Sequence, residues 1–311
     1  NKMRKRLQFL CCVLLVVSGI EAQKRFQVME YNVENLFDCQ HDEGKNDNEF
    51  LPGSPKAWTW NRYRTKVNNI AQVIVAVGED EVPDLVGLCE VENDSTMVAL
   101  TRKSPLKNVG YKYVMTNSPD QRGIDVALLY QPRSFRILSV IFKHILSEQI
   151  KRPPTRDQLH VTGLLQNGDT LDVFVVHMPS RAGGKEVSDV YRLMTSKILK
   201  SSVDSLFQCR SEAKVIIMGD FNDYPSDPAL VKALGAQAPK GKIEKHRLYN
   251  LMDGRKGTYR YHGEWGVLDH IIVSGTLLQK KKKHVYTSYN DARIIEFPFL
   301  LEEDTKYGGL I

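Results

Sequence analysis

Between Tyr111 and Met178 the chain offers five apolar runs in succession, rich in Val, Ile and Leu, with no helical period between them: Tyr111 to Met115, Gly123 to Tyr130, Phe135 to Phe142, Leu159 to Leu165 and Leu171 to Met178. Consecutive strands of this kind exclude a simple alternating parallel sheet. Further strand runs lie at Phe26 to Val33, Asp84 to Val91, Lys214 to Phe221 and Val267 to Ser274. Helical spacing is confined to two stretches. In Arg62 to Val77 the apolar positions Val67, Ile70, Ala71 and Ile74 recur at three- and four-residue steps, and Val187, Val190, Met194 and Ile198 do the same further on. The pattern predicts an α/β chain in which two sheets form a sandwich with helices outside.

The 311 residues, 42% hydrophobic and 26% charged, suit one large domain. At the start, Lys2, Arg4, Lys5 and Arg6 precede the apolar run Phe9 to Val17, and Ile20-Glu21-Ala22 offers a cleavage site before Gln23. Residues 1–22 therefore read as a Sec-type signal peptide and residues 23–311 as the mature domain. The apolar run is shorter than the roughly 20 residues of a membrane span. The expectation is a secreted or periplasmic protein of a bacterial envelope, monomeric, with no stable membrane anchor after cleavage. Removing residues 1–22 takes away four basic side chains and one acidic one, which lowers the net charge from +6 to +3. So mild a charge gives no bulk argument for nucleic acid. Cys39, Cys89 and Cys209, odd in number and widely spaced, define neither a disulfide framework nor a zinc site. The polar segment Cys39 to Pro55 carries Asp42, Glu43, Asp47 and Glu49 without the spacing of a calcium loop, and reads as solvated surface.

Chemistry gathers at strand ends. Asn32 ends the first run in "VMEYNVENLFD", and Glu90 follows an apolar run in "DLVGLCEVEN". His177 ends the strand of "VFVVHMPSR", "VIIMGDFNDYPSD" carries Asp220 and Asn222, and "GVLDHIIVS" sets Asp269 beside His270. A lone strand-end Asn or Asp is usually a turn residue. As a set, these side chains supply hard oxygen ligands suited to Mg²⁺, which takes one or two carboxylates and substrate phosphate oxygens. No histidine pair at zinc spacing competes with that reading.

The five segments in this order resemble the endonuclease/exonuclease/phosphatase superfamily, with "GDFND" followed some fifty residues later by "LDH" as the specific pairing. The resemblance implies a four-layer α/β sandwich with two central mixed β-sheets flanked by helices, as in deoxyribonuclease. It implies a phosphodiesterase or phosphomonoesterase using Mg²⁺, with Mn²⁺ or Ca²⁺ as alternatives. Asn32 and Glu90 would bind the metal, with Asp269 as a further ligand. Asp220 would orient or deprotonate the attacking water and Asn222 would hold it, while His177 and His270 would contact the phosphoryl group. An acidic residue that orients the final histidine is expected, and of Asn250 and Asp253, which the chain offers there, Asp253 is the expected one. Arg122, Asp125 and Arg181 are candidate substrate-binding residues: Arg122 to grip phosphate, Asp125 to pair with it or with a site histidine. Nucleic acid, DNA or RNA, is the first expectation for the substrate, with lipid head groups, sugar phosphates and inositol phosphates as alternatives, because the choice is set in the loops. A non-catalytic secreted binding protein on the same fold is the competing reading; it should have lost at least one of these residues.

Overall fold

All nine expected strand runs form strands in a computed structural model of the protein. It describes residues 25–309 apart from 79, 151 and 152; the signal-peptide expectation falls on residues 1–22, outside the described residues. No described helix is long and apolar enough to cross a membrane.

Strands β1 (Val28–Leu36), β2 (Leu85–Val91), β3 (Lys112–Met115) and β4 (Asp125–Tyr130) make the first sheet, in the order β1-β2-β4-β3. The second sheet contains β5 (Phe135–Lys143), β6 (Gln158–Leu165), β7 (Thr170–His177) and β8 (Lys214–Asp220). Two short strands, β9 (Ala236–Gln237) and β10 (Leu248–Asn250), form its edge. A separate hairpin pairs β11 (Tyr259–Tyr261) with β12 (Glu264–Gly266), and β13 (Asp269–Ser274) returns to the second sheet. The order there is β5-β6-β7-β8-β13-β10-β9. Both sheets are mixed: β1 runs parallel to β2 and β7 to β8, while β4 and β13 run antiparallel to their partners.

Strand alternation divides the apolar side chains into layers. Leu85 and Cys89 of β2 point between the sheets, toward Val173, Val175 and Met218. Val86 and Leu88 point outward and meet Val67, Ile70 and Ile74 of the Trp60–Val77 helix. On the far side Leu199, Val203 and Phe207 of the Lys185–Cys209 helix cover Phe174, Val176, Val215 and Ile217. The result is helix, sheet, sheet, helix, the four-layer sandwich expected from the sequence. Each fully buried aliphatic side chain in these layers contributes about 1.5–3 kcal/mol. The Cys39 to Pro55 segment is less solvated than its composition suggests: Phe50 stacks on Phe37 at 4.1 Å, and buried Asp47 accepts hydrogen bonds from the Asp42 amide and His41.

Register then positions the chemistry. His177 lies opposite Asp220 across the β7–β8 ladder, and Asp269 lies opposite Asp220 across the β8–β13 ladder. These three residues form one row at the rim of the second sheet. Asn32 and Glu90 end neighbouring strands of the first sheet on the other side of the cleft. Gly219 makes the approach of β7 and β8 possible, since at its φ of +140° a Cβ would sit 1.8 Å from the Val176 carbonyl oxygen.

Away from the rim, Asp169 in the turn between β6 and β7 accepts hydrogen bonds from Lys214 Nζ (2.9 Å), His284 Nδ1 (2.7 Å), the Val285 amide (2.7 Å) and Asn167 Nδ2 (2.8 Å). Burial pushes its carboxyl up, but the donors outweigh that and hold it at about 2, against 3.8 when unpaired. A pKa depressed in the folded state adds stability above about pH 4 that is lost as pH falls toward 2. Asp169→Asn should therefore be less stable than the native protein at pH 7, and the gap should close between pH 4 and pH 2 in urea titrations. A gap independent of pH would refute the charged-acceptor role.

Candidate active site

At the rim, Asn32 Nδ2 donates to Asp220 Oδ2 at 3.1 Å. His177 Nε2 stands 3.6 Å from Asp220 Oδ2 and 3.9 Å from Glu90 Oε1. The Asn222 amide donates to Asp220 Oδ1 at 2.8 Å. Asn32, Glu90, His177 and Asp220, drawn from both sheets, thus converge as expected, with Asp269 alongside. The backbone is held in unusual conformations there. Glu34, Asn35, Glu90 and Asn222 all have positive φ, between +52° and +64°. For residues with a Cβ such conformations cost of order 1–3 kcal/mol each and persist only where the surroundings enforce them.

Glu30 joins this group and was not anticipated. It lies two residues before Asn32 on β1, and period-two alternation puts both on the face toward the cleft. A carboxylate inside an apolar strand was the available signal. Burial, Asp269 and Asp220 together push its carboxyl well up. Burial followed by Asp269 pushes Asp220 to about 8, although the Asn222 amide and Arg156 act in the other direction. Asp269 is raised to about 6, chiefly by burial. His177 is driven down by burial and by Arg156 and Arg122, so it is neutral at pH 7.

Glu30 Oε1 and Asp269 Oδ1 are buried without hydrogen-bond partners. Such orphaned oxygens, beside carboxylates that repel one another, fit a hard divalent cation. Among the described residues no group of three or more His, Cys, Asp or Glu side chains is arranged to hold a metal by itself. Asn32, Glu90 and Asp269 are the residues that would hold such an ion.

Other expected residues are placed differently. His270 follows Asp269 on a strand, so its side chain falls on the opposite face of that strand, although the residue still borders the groove. It is buried against Phe221, with Nε2 2.9 Å from the Asp223 carbonyl and Nδ1 3.0 Å from Asn250 Nδ2. Asn250 Oδ1 accepts from the Met252 amide, so Nδ2 is the donor to His270, and Nε2 carries the imidazole proton. Burial lowers its pKa to about 4. His270 is therefore neutral at pH 7, and its side-chain partner is Asn250 rather than Asp253, whose carbonyl accepts from Tyr289 Oη. Asp125 pairs with neither Arg122 nor a histidine; it is buried and accepts from the hydroxyls of Thr116 and Ser118 and the Ser118 amide. Arg122 instead donates to Asn35 Oδ1 at 2.6 Å and stands 3.7 Å from Glu90 Oε2. Asn222 lines the groove, and its Nδ2 donates to the Met178 carbonyl at 3.1 Å, which ties the side chain to the loop after β7. Arg181 bridges the Asn222 carbonyl and Asp227 while lining the groove of about 1890 Å³ that opens at the rim.

Arg192, fully buried, ties these loops together. It donates to the carbonyls of Pro179 and Ser180, just past His177, and its Nε stands 2.8 Å from Asp223 Oδ1, just past Asn222. Removing one partner of a buried ion pair leaves the other uncompensated, at a cost of about 3–5 kcal/mol. Arg192→Ala should lose that much in urea denaturation, and a loss under 1 kcal/mol would show the pair to be dispensable.

Fold and rim together define a phosphoester-hydrolase type of α/β sandwich. The family described as the Endonuclease/Exonuclease/phosphatase family matches residues 27–310, and the chain belongs to it. None of the curated proteins matches the chain in sequence. Solved structures share the fold at low identity. The human Nocturnin catalytic domain with bound sulfate has a TM-score of 0.53 at 17% identity, covering 80% of this chain and 82% of that one. A mannosyl-6-phosphatase of Bacteroides thetaiotaomicron VPI-5482 gives 0.54 at 18%, covering 80% and 85%. ANGEL2, a 2',3'-cyclic phosphatase, gives 0.56 at 17%, covering 80% and 82%.

Proposed function

We propose that this protein hydrolyses a phosphate ester by metal-assisted attack of water, and that its substrate is a small phosphoester. The observation that carries the reaction class is the chain of close approaches at one rim, Asn32 to Asp220 at 3.1 Å, Asp220 to His177 at 3.6 Å and His177 to Glu90 at 3.9 Å. A divalent ion, Mg²⁺ first and Mn²⁺ or Ca²⁺ as alternatives, would be held by Asn32, Glu90 and Asp269 and would polarise a phosphoryl oxygen. Asp220 is the proton acceptor. Its Oδ2 is held by Asn32 and its Oδ1 by the Asn222 amide, so in the ionised form it takes a proton from water as the water oxygen bonds to phosphorus and the alcohol oxygen leaves. His177, neutral and with Nε2 facing the cleft, donates a hydrogen bond to a phosphoryl oxygen as charge builds on it.

A small substrate is favoured over a long nucleic acid because acidic side chains outnumber basic ones along the groove. A tracking polyanion needs a line of Lys and Arg. The phosphatase names of two structural neighbours are consistent with this choice.

Hydrolysis of p-nitrophenyl phosphate and bis-p-nitrophenyl phosphate should require Mg²⁺ or Mn²⁺ and stop in EDTA. Asp220→Asn should cut kcat by about 10²–10⁴-fold and His177→Ala by about 10²–10³-fold, both with unchanged circular dichroism. Turnover in EDTA, or near-native activity of Asp220→Asn, would overturn the proposal.

A further inference from the structure

The β11–β12 hairpin stands as a blade beside the reaction centre. Its root is fixed there: Thr258 Oγ1 accepts from the amides of both Leu268 (3.1 Å) and Asp269 (3.2 Å), so two hydrogen bonds tie the hairpin to the rim carboxylate's backbone. Tyr259 and Tyr261, two residues apart, share one face, with ring centroids 6.3 Å apart and planes 14° from parallel. Both line the groove that contains Asp220 and Asp269, and both are exposed, at 42% and 59%. Trp265 pairs with Arg260 across the hairpin and lines a separate cavity of about 450 Å³. Tyr224 lines both spaces. Its ring is clamped between the Arg181 guanidinium, 4.4 Å from its centroid, and Gly266, where a Cβ would lie 2.5 Å from the ring. A residue larger than glycine at 266 would displace that ring.

Exposed aromatic rings that line a groove beside a polar site offer a contact surface to whatever the groove holds. Here the aromatic face adjoins the carboxylates that would act on phosphorus, so the covering group belongs to the molecule that carries the phosphate. Aromatic faces take flat bases by stacking and the C–H faces of sugar rings by apolar contact, neither of which demands hydrogen-bond partners.

We propose that Tyr259 and Tyr261, with Tyr224 at their base, form a leaving-group subsite that stacks on the ring of a small phosphorylated ring compound, either a sugar phosphate or a mononucleotide. This rests on the phosphoesterase reading above. It distinguishes ring esters from acyclic ones such as glycerol phosphate.

The test compares kcat/KM for a hexose 6-phosphate, adenosine monophosphate and glycerol phosphate in the native protein and in Tyr259→Leu, Tyr261→Leu and Trp265→Phe, with calorimetric binding of the same three compounds measured in parallel. The preference for ring over acyclic substrate should fall about fivefold or more in each tyrosine variant. Trp265→Phe, on the opposite face, should keep the native preference. A larger loss for the nucleotide identifies the base as the stacked ring, and a larger loss for the hexose identifies the sugar. Equal ring and acyclic efficiencies in the native protein, or a preference untouched by both tyrosine variants, would overturn the subsite. If no compound is hydrolysed but ring phosphates bind and the tyrosine variants weaken them, the reaction class fails and the subsite stands.

Discussion

The carboxylates of Glu30, Glu90, Asp220 and Asp269 meet where the two sheets come together, and their mutual repulsion is what the rest of the rim is built to withstand. Burial and neighbouring charge raise Asp220 to about 8 and Asp269 to about 6. A fold optimised for stability alone would place apolar residues in this row, as it does two residues further into the sheet at Met218 and Ile271. Keeping acids there makes chemical sense where a cation and a phosphate share the cleft, because the ion removes the repulsion and the acids regain their ordinary ionisation.

Holding such groups together requires a rigid surround. The parallel β7–β8 ladder fixes His177 opposite Asp220, and the antiparallel ladder to β13 fixes Asp269. Positive φ at Glu90 and Asn222 bends the chain so that strand-end side chains turn into the cleft. Arg192, itself buried, anchors the loops that leave β7 and β8. Strain and a buried charge are therefore concentrated next to the chemistry, while the three apolar layers behind it supply the stability that offsets them.

Most of the architecture was legible in the sequence because long apolar strands and two amphipathic helices announce themselves by period. The short strands β9 to β12 were not, since two or three residues carry too little pattern to register. Asn32, Glu90, His177 and Asp220 could be found because polar residues at the ends of apolar runs stand out. For His270 the strand run Val267 to Ser274 already implies that it and Asp269 face opposite sides of the sheet; what the sequence could not show is that Phe221, the Asp223 carbonyl and Asn250 enclose its ring. Glu30 was overlooked because its position inside a strand, two residues ahead of Asn32, was read as part of the apolar run. Asp125 and Arg122 lie close in sequence, yet burial under Thr116 and Ser118 hydroxyls separates them.

The most direct measurement is a calorimetric titration of Mg²⁺ into the protein at pH 7 in two buffers of different ionisation enthalpy. If repelling acids at the rim are what the ion relieves, binding should release roughly one proton per ion. The release should fade as pH rises above 8, where Asp220 is already ionised. Binding that releases no protons anywhere between pH 6 and pH 9, or that is undiminished in both Glu90→Gln and Asp220→Asn, would contradict the account.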